Sequence, residues 1–459
     1  MGFSFVWDDL ANFNTLSHMA LSDVIKPSPK IISLSSLFAS NWRPLTNGLF
    51  VFFGNFTPFF AHFVNLLFFS LSVGVLSLLI FELTKNTASS LTFSLTFSLH
   101  PASVESAVWP SSFSLYILPS LLSVYLALKN RKSLSAVFYS AALLFKESAL
   151  AVFPVLFFIT GGKGKVVYTA ITASYLILRQ FAVGVIPYEQ KPHYDINTLR
   201  DMLLGLGFYV KSTFFPYPFR VYTPDVPKDF WVILFLIIGI IASFFLFLRF
   251  RETGVWVILF FSNLLLHLLV VGFERAPSVL SYRYMALSLA ALVIILALVF
   301  KERGQIFFLP VLGISSVFSF NVMDIWRDNF NFWEKAYDNN PDDPTVLLNY
   351  GSTLLSRGDT LGLNLMWKII KGNYENEDKF DAGVNIMAYH FNKGDFERCL
   401  EFSDKIRSLG ENDLYYYLKT LCALNVGDTL GAKESIKEGI TKYPHRPELL
   451  DLAKKLGVI

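Results

Sequence analysis

A succession of apolar segments between residues 58 and 322 constrains this chain more than any other feature of its sequence. A helix needs about 20 apolar residues to cross the hydrocarbon core of a bilayer, and several segments approach or reach that length. Of all residues, 53% are hydrophobic and 16% are charged, against roughly 25% charged residues in an average soluble domain. We therefore predict an all-α fold whose largest part is a polytopic bundle of transmembrane helices.

The positions of basic residues in the short loops predict which side of the membrane each loop faces. The lysine- and arginine-bearing loops all fall on one side only if residues 133–159 form two short helices that turn at Lys146 and Glu147. We therefore predict a helix break at this pair and assign the basic loops to the cytoplasm. The chain then has three regions: an extracytoplasmic first loop (1–57), a transmembrane bundle (58–322) and an extracytoplasmic C-terminal region (323–459).

The C-terminal region contains a Gly-Asp dipeptide that recurs every 33 to 36 residues. Each copy lies between two segments with helical periodicity. A helix, a turn and a second helix in about 34 residues are typical of the tetratricopeptide repeat. We predict a small solenoid of such units with a concave face. The dipeptides are Gly358-Asp359, Gly394-Asp395 and Gly427-Asp428.

Cys399 and Cys422 both lie in the C-terminal region and are too few for a disulfide framework. We interpret them as two buried, unpaired residues of a helical repeat. The alternative is a single disulfide, because the predicted topology places this region in a compartment that oxidises thiols.

Two adjacent acids, Asp8 and Asp9, precede the apolar segments. Two neighbouring carboxylates near a low dielectric cannot both remain ionised at low cost, so one of them could accept a proton near neutral pH. The alternative is that Asp9 caps a helix that begins at Leu10.

Other polar residues interrupt or end the apolar segments. His100 and Glu105 could bind a phosphate or a sugar hydroxyl, or they could belong to an ordinary interfacial loop in which a proline starts a helix. One histidine and one glutamate are too few ligands to predict a metal site. Lys146 could neutralise a lipid phosphate, or it could form a self-contained ion pair with Glu147 at the turn.

Arg275 and Arg283 flank a short polar loop, and their guanidinium groups could hold a phosphate through paired hydrogen bonds. The alternative is that both side chains extend to the membrane interface. Arg43 is a further candidate of the same kind.

The order of several short motifs resembles the transmembrane and tetratricopeptide-repeat O-mannosyltransferases and their bacterial relatives, which are polyprenol-dependent GT-C glycosyltransferases. Members of this group carry one more transmembrane helix before the acid pair, whereas seven residues precede Asp8 here. The motifs are Val6-Trp7-Asp8-Asp9, Trp42-Arg43-Pro44, Asn65-Leu66-Leu67-Phe68, His100-Pro101-Ala102-Ser103-Val104-Glu105, Phe145-Lys146-Glu147-Ser148 and Tyr282-Arg283-Tyr284, followed by the repeats.

The resemblance implies inverting transfer of a sugar, such as a mannose or another hexose, from a polyprenyl-phosphate donor. The acceptor would be a hydroxyl of a protein or glycan on the extracytoplasmic face of a bacterial cytoplasmic membrane. Asp8 would be the catalytic base, with Asp9 as its partner. We assign Lys146, Arg275 and Arg283 to the lipid phosphate, and Arg43, His100, Glu105 and Glu147 to other substrate contacts.

No cofactor is predicted, and a divalent metal is optional because the leaving group is already a phosphate. The expected partners are membrane lipids, the lipid-linked sugar and an acceptor recruited by the repeats, with no nucleic acid. Two alternatives remain open. One is a ligase or polymerase that moves a whole glycan from a polyprenyl pyrophosphate, and the other is a non-catalytic membrane scaffold that binds partners through its repeats.

Overall fold

The computed structural model describes residues 6, 42–53, 57–110, 114–183, 194–217, 219–272, 280–300 and 305–459. The regular secondary structure of these residues is entirely helical, which confirms the predicted all-α class. The chain divides into two compact units, Met1–Phe332 and Trp333–Ile459.

The first unit contains thirteen α-helices among the described residues, connected in places by short 3-10 segments. The α-helices are α1 (Pro44–Phe53), α2 (Pro58–Thr84), α3 (Thr87–Ser98), α4 (Pro101–Val108), α5 (Ile117–Leu128), α6 (Lys132–Phe145), α7 (Phe153–Ile159), α8 (Gly162–Val183), α9 (Ile196–Phe214), α10 (Phe230–Arg249), α11 (Gly254–Leu268), α12 (Ala286–Val299) and α13 (Gln305–Ile325). The 3-10 segments are Ser114–Tyr116, Glu147–Val152, Arg251–Thr253, Leu269–Gly272 and Tyr282–Met285.

Within the described ranges, three helical segments are long and apolar enough to cross a membrane: α2, α10 and the continuous stretch Tyr282–Val299. Helix α10 begins where the Asp229 carboxylate accepts a hydrogen bond from the backbone N–H of Val232 at 3.0 Å. Only 6% of its most apolar window is buried inside the unit, so most of its side chains face outward. A large exposed apolar face of this kind is compatible with a membrane environment.

The predicted helix break at Lys146 is confirmed. Helix α6 ends at Phe145, and the backbone of Lys146 is extended, with φ −161° and ψ 137°. The 3-10 segment Glu147–Val152 then leads into the short helix α7. Residues 133–159 therefore form two short helical arms around a polar turn, not one continuous helix.

The second unit is built from helices that pack in successive pairs: α15 on α16, α17 on α18 and α19 on α20, with each pair also packed on the next. The helices are α15 (Pro344–Ser356), α16 (Leu361–Lys371), α17 (Asn376–Asn392), α18 (Phe396–Ile406), α19 (Asp413–Val426), α20 (Thr429–Lys442) and α21 (Pro447–Lys455). Helix α14 (Asn329–Asn339) spans the boundary between the two units.

The recurring Gly-Asp dipeptides form the turns within these pairs. Each glycine has a positive φ, between 75° and 91°, which ends the first helix in the left-handed region that glycine adopts without strain. The aspartate N–H then bonds to the carbonyl five residues earlier, and its carboxylate accepts a backbone N–H of the next helix. The aspartate N–H bonds are Asp359 to Leu354, Asp395 to His390 and Asp428 to Ala423, and the carboxylate bonds are from Leu361, Arg398 and Gly431.

Cys399 of α18 and Cys422 of α19 form a disulfide, with their Cα atoms 6.2 Å apart. The interpretation of these residues as unpaired cysteines is therefore wrong, and the alternative of a single bridge describes the structure. The cause is the packing of α18 on α19, which brings two fully buried positions 23 residues apart into contact.

We expect Gly394→Ala to lower the free energy of unfolding of the second unit by about 1–2 kcal/mol, because an L side chain is strained in the left-handed region. No heavy atom lies within 4 Å of the added Cβ, so the cost comes from the backbone alone. Gly394→Asn should lose less stability, because asparagine adopts this conformation more readily than alanine. Thermal denaturation measures both variants, and equal losses for Ala and Asn would contradict the interpretation.

Asp381 in α17 should make the second unit less stable as the pH rises. Burial, reinforced by the charges of Glu377 and Asp378, raises the pKa of Asp381 to about 6. The folded state therefore holds a proton that the unfolded chain releases near its ordinary pKa of about 4, so the contribution of Asp381 to stability is lost between about pH 4 and pH 6.

Hydrogen exchange of α17 in full-length protein measures this effect. At pH 7 the amides of α17 should exchange more slowly in Asp381→Asn than in wild type. At pH 4 this difference should be smaller. Glu434→Gln, which alters an exposed acid of α20, is the control and should show no such pH-dependent difference. If the ratio of the exchange rates of Asp381→Asn and wild type is the same at both pH values, the raised pKa of Asp381 is refuted.

Candidate functional site

Helix α4 is a short, almost wholly buried element that organises the polar residues of the first unit. Its N-terminus is capped by His100, whose Nδ1 accepts the backbone N–H of Ala102 at 3.2 Å. Because Nδ1 is the acceptor, Nε2 carries the proton and donates to the Thr213 carbonyl of α9 at 3.2 Å. Both ring nitrogens of His100 therefore hold α4 in place.

The C-terminal end of α4 is held by Asn65 of α2. The Asn65 Nδ2 donates to the carbonyls of Ser106 and Ala107 at 2.9 and 2.7 Å. The Ser114 hydroxyl also donates to the Ser106 carbonyl at 2.6 Å. The carbonyls that a helix end leaves without intrahelical partners are thus paired inside the protein, and α4 has a fixed position.

Glu105 and Ser106 of α4 hold the backbone of residue 283. The Glu105 Oε1 accepts the Ser281 hydroxyl at 2.9 Å and the Arg283 N–H at 3.2 Å. The Ser106 hydroxyl donates to the Arg283 carbonyl at 3.2 Å. We call these three bonds the α4 clamp. The Glu105 Oε2 is buried and has no hydrogen-bond partner among the described residues.

The side chain of Arg283 lies among aromatic rings. Its Cζ is 3.8 Å from the ring centroid of Trp109, at the end of α4, and 4.9 Å from that of Tyr284. Trp109 stacks in turn on Trp326, with ring centroids 4.4 Å apart. The Arg283 Nη2 also donates to the Tyr284 hydroxyl at 3.1 Å. The clamp and the rings together set the position of the guanidinium.

The polar turn after α6 brings two more of the candidate residues to this region. Arg43 donates to both carboxylate oxygens of Glu147, at 2.7 and 3.1 Å. Lys146 is only 5% exposed, and its Nζ lies 5.4 Å from the ring centroid of Tyr116 and 5.7 Å from that of Tyr284. Tyr284 is therefore a common neighbour of Lys146 and Arg283.

Several charged side chains of the described residues converge in this region. Lys146 interacts electrostatically with Arg43, Glu147 and Arg283, and we call these four residues the charge cluster. Within it, Glu147 is bonded to Arg43, and the nearby Glu105 directs one oxygen to the α4 clamp. Arg43 and Lys146 are buried and Arg283 is half-buried, and a group of basic side chains that is largely removed from water is a favourable environment for an anion.

The structure thus brings together five of the predicted site residues around α4 and the Lys146 turn, with His100 at the far end of α4. Asp8, Asp9 and Arg275 lie outside the described residues. Across the ranges that the structure describes, no group of three or more His, Cys, Asp or Glu side chains is arranged to hold a metal ion. The predicted residues that converge are Arg43, Glu105, Lys146, Glu147 and Arg283.

Sequence reasoning missed two residues of this region, Tyr284 and His267. The ring of His267, in α11, stacks on that of Tyr284 with centroids 4.2 Å apart. One signal was available: His267 follows Asn263 by four residues in an otherwise apolar helix, which places two polar side chains on one helix face.

No protein-family model matches the chain, and no curated protein or solved structure matches it either.

The α4 clamp predicts different effects for two substitutions of Glu105. Glu105→Ala should lower the free energy of unfolding by about 2–3 kcal/mol, because it leaves the Ser281 hydroxyl and the Arg283 N–H buried without their acceptor. Glu105→Gln keeps one acceptor oxygen and should lose about 1 kcal/mol or less. Thermal denaturation in detergent and hydrogen exchange of residues 281–285 measure both effects. Equal behaviour of the two variants would argue against the clamp.

Proposed function

We propose that this protein is a membrane glycosyltransferase that moves a sugar from a polyprenyl-phosphate donor to a hydroxyl of a protein or glycan. In this proposal the first unit is a bundle of transmembrane helices, and the helix pairs of the second unit form a tetratricopeptide solenoid that recruits the acceptor. The observation that carries the proposal is the convergence of the basic side chains of Arg43, Lys146 and Arg283 in the charge cluster.

A lipid phosphate suits this cluster for two reasons. It supplies negative charge beside Lys146 and Arg283, and its several oxygens can accept hydrogen bonds from both an ammonium and a guanidinium. Glu147 is occupied by Arg43, so the anion does not have to displace that bidentate pair. The apolar helices around the cluster are compatible with a polyprenyl chain.

The proposed reaction needs a base and a stabilised leaving group. An Asp8 carboxylate would take the proton of the acceptor hydroxyl while the hydroxyl oxygen attacks the anomeric carbon of the donor sugar. The bond between that carbon and the phosphate oxygen breaks, its electron pair leaves with the polyprenyl phosphate, and the configuration inverts. Lys146 and Arg283 would stabilise the negative charge that develops on the departing phosphate.

The disulfide between Cys399 and Cys422 supports an extracytoplasmic position for the second unit. Disulfides persist in oxidising compartments and are rare in the cytoplasm. This agrees with the side that the basic loops predict for residues 323–459.

The first test is transfer from a panel of polyprenyl-phosphate sugars by purified full-length protein. Lys146→Met and Arg283→Met should each reduce transfer at least about 10-fold, which corresponds to about 1.4 kcal/mol of lost transition-state stabilisation. Lys163→Met, which removes an exposed lysine at the start of α8, is the matched control and should keep wild-type activity. Full activity of both cluster variants would reject the proposed phosphate site.

The same assay separates the alternative functions. Asp8→Asn should abolish transfer in a protein that still folds and binds the donor. Transfer only from polyprenyl-pyrophosphate glycans would instead identify a ligase or polymerase. Absence of transfer and of donor binding in wild-type protein, together with retained binding of a protein partner, would identify a scaffold.

A further inference from the structure

His267 is a buried histidine whose surroundings do not account for it. His267 lies in the last turn of α11 and is 8% exposed. Its ring is nearly parallel to that of Tyr284, with an angle of 18° between the two ring planes. Among the residues that the structure describes, none offers a hydrogen-bond partner to its Nε2. The stacking contact alone would be made equally well by a phenylalanine.

An unpaired ring nitrogen in a protein interior carries a desolvation cost, so most buried polar atoms have a partner. Asn263, in the same helix, is partly paired: its Nδ2 donates to the Tyr284 carbonyl at 2.7 Å and to the Ser288 hydroxyl at 2.9 Å, whereas its Oδ1 has no partner among the described residues. His267 has no equivalent contact at Nε2. An atom of a bound ligand would supply a partner for this ring nitrogen.

The position of Tyr284 indicates which ligand this is. Lys146 Nζ and Arg283 Cζ lie 5.7 and 4.9 Å from the Tyr284 ring centroid, and the His267 ring centroid lies 4.2 Å from it. The imidazole therefore borders the same basic region as the charge cluster. Its interactions with Lys146, Glu147 and Arg283 place it within their electrostatic field.

We propose that His267 is a binding residue for the lipid-borne phosphate, and that its Nε2–H donates a hydrogen bond to a phosphate oxygen beside Lys146 and Arg283. This inference rests on the proposed function and adds a third group to its site. A neutral imidazole adds a directional donor without adding a positive charge beside Arg43, Lys146 and Arg283.

The test is binding of a polyprenyl monophosphate in detergent micelles to full-length protein. His267→Phe keeps an aromatic ring for Tyr284 and removes Nε2, so the Kd should rise about 10-fold, as for the loss of one hydrogen bond to a charged group. A Kd within twofold of wild type would overturn the role of His267.

A second pair of variants does not depend on the stacking contact. Glutamine can place its amide nitrogen near the position of the histidine Nε2, whereas the shorter asparagine cannot. His267→Gln should therefore bind at least about fivefold more tightly than His267→Asn, and equal affinities would contradict the proposal even if His267→Phe fails to fold.

Two further arms separate this inference from the function on which it rests. If wild-type protein binds the polyprenyl phosphate and Lys146→Met weakens binding while all His267 variants bind normally, only the inference about His267 is wrong. If wild-type protein does not bind it at all, the proposed function fails as well. Inorganic phosphate should bind far more weakly than the lipid, and equal affinity would overturn the assignment to a lipid-borne group.

Discussion

The ion pair between Arg43 and Glu147 is the interaction on which the rest of the candidate site depends. It joins the start of α1 to the turn after α6, across 104 residues of sequence, through two hydrogen bonds. A second contact reinforces it, since the Thr46 hydroxyl donates to the Phe145 carbonyl at 2.7 Å. The Arg43 side chain is buried and that of Glu147 is partly exposed, so removing Glu147 would take a bidentate partner from a desolvated guanidinium and destabilise this part of the fold. The pair therefore fixes the turn that carries Lys146.

The α4 clamp fixes the position of Arg283, just as the ion pair fixes the turn that carries Lys146. A helix of eight residues has little stability of its own, so its position is set by Asn65 at one end and His100 at the other. Helix α4 in turn fixes the backbone of Arg283 through Glu105 and its guanidinium through Trp109. Lys146 and Arg283, which are distant in sequence, thus become neighbours of Tyr284.

The sequence predicted the parts of this arrangement that local rules determine. The break at Lys146 was predicted from the requirement that all basic loops share one side of a membrane, and the turns at Gly394 and Gly427 were predicted from their spacing. The disulfide between Cys399 and Cys422 could not be deduced, because helical periodicity shows that both positions are buried but not that α18 and α19 bring them together.

The roles of His100 and Glu105 show the same limit in the candidate site. Both were expected to contact substrate, and their polar character within apolar sequence justified singling them out. In the structure, His100 caps and anchors α4, and Glu105 holds the backbone of Arg283. A motif of polar residues indicates that a site is nearby, but only the packed helices reveal which side chains support the site and which are available to a ligand.

Aromatic rings surround the two basic side chains to which the proposed function assigns the lipid phosphate. The faces of Trp109, Tyr116 and Tyr284 lie close to Lys146 and Arg283 and stabilise their positive charges electrostatically. Arg43 is bonded to both carboxylate oxygens of Glu147 and thereby holds the turn. The proposed function therefore combines an ion pair that fixes the geometry of the turn with basic side chains beside aromatic rings, Lys146 and Arg283, that would bind the phosphate.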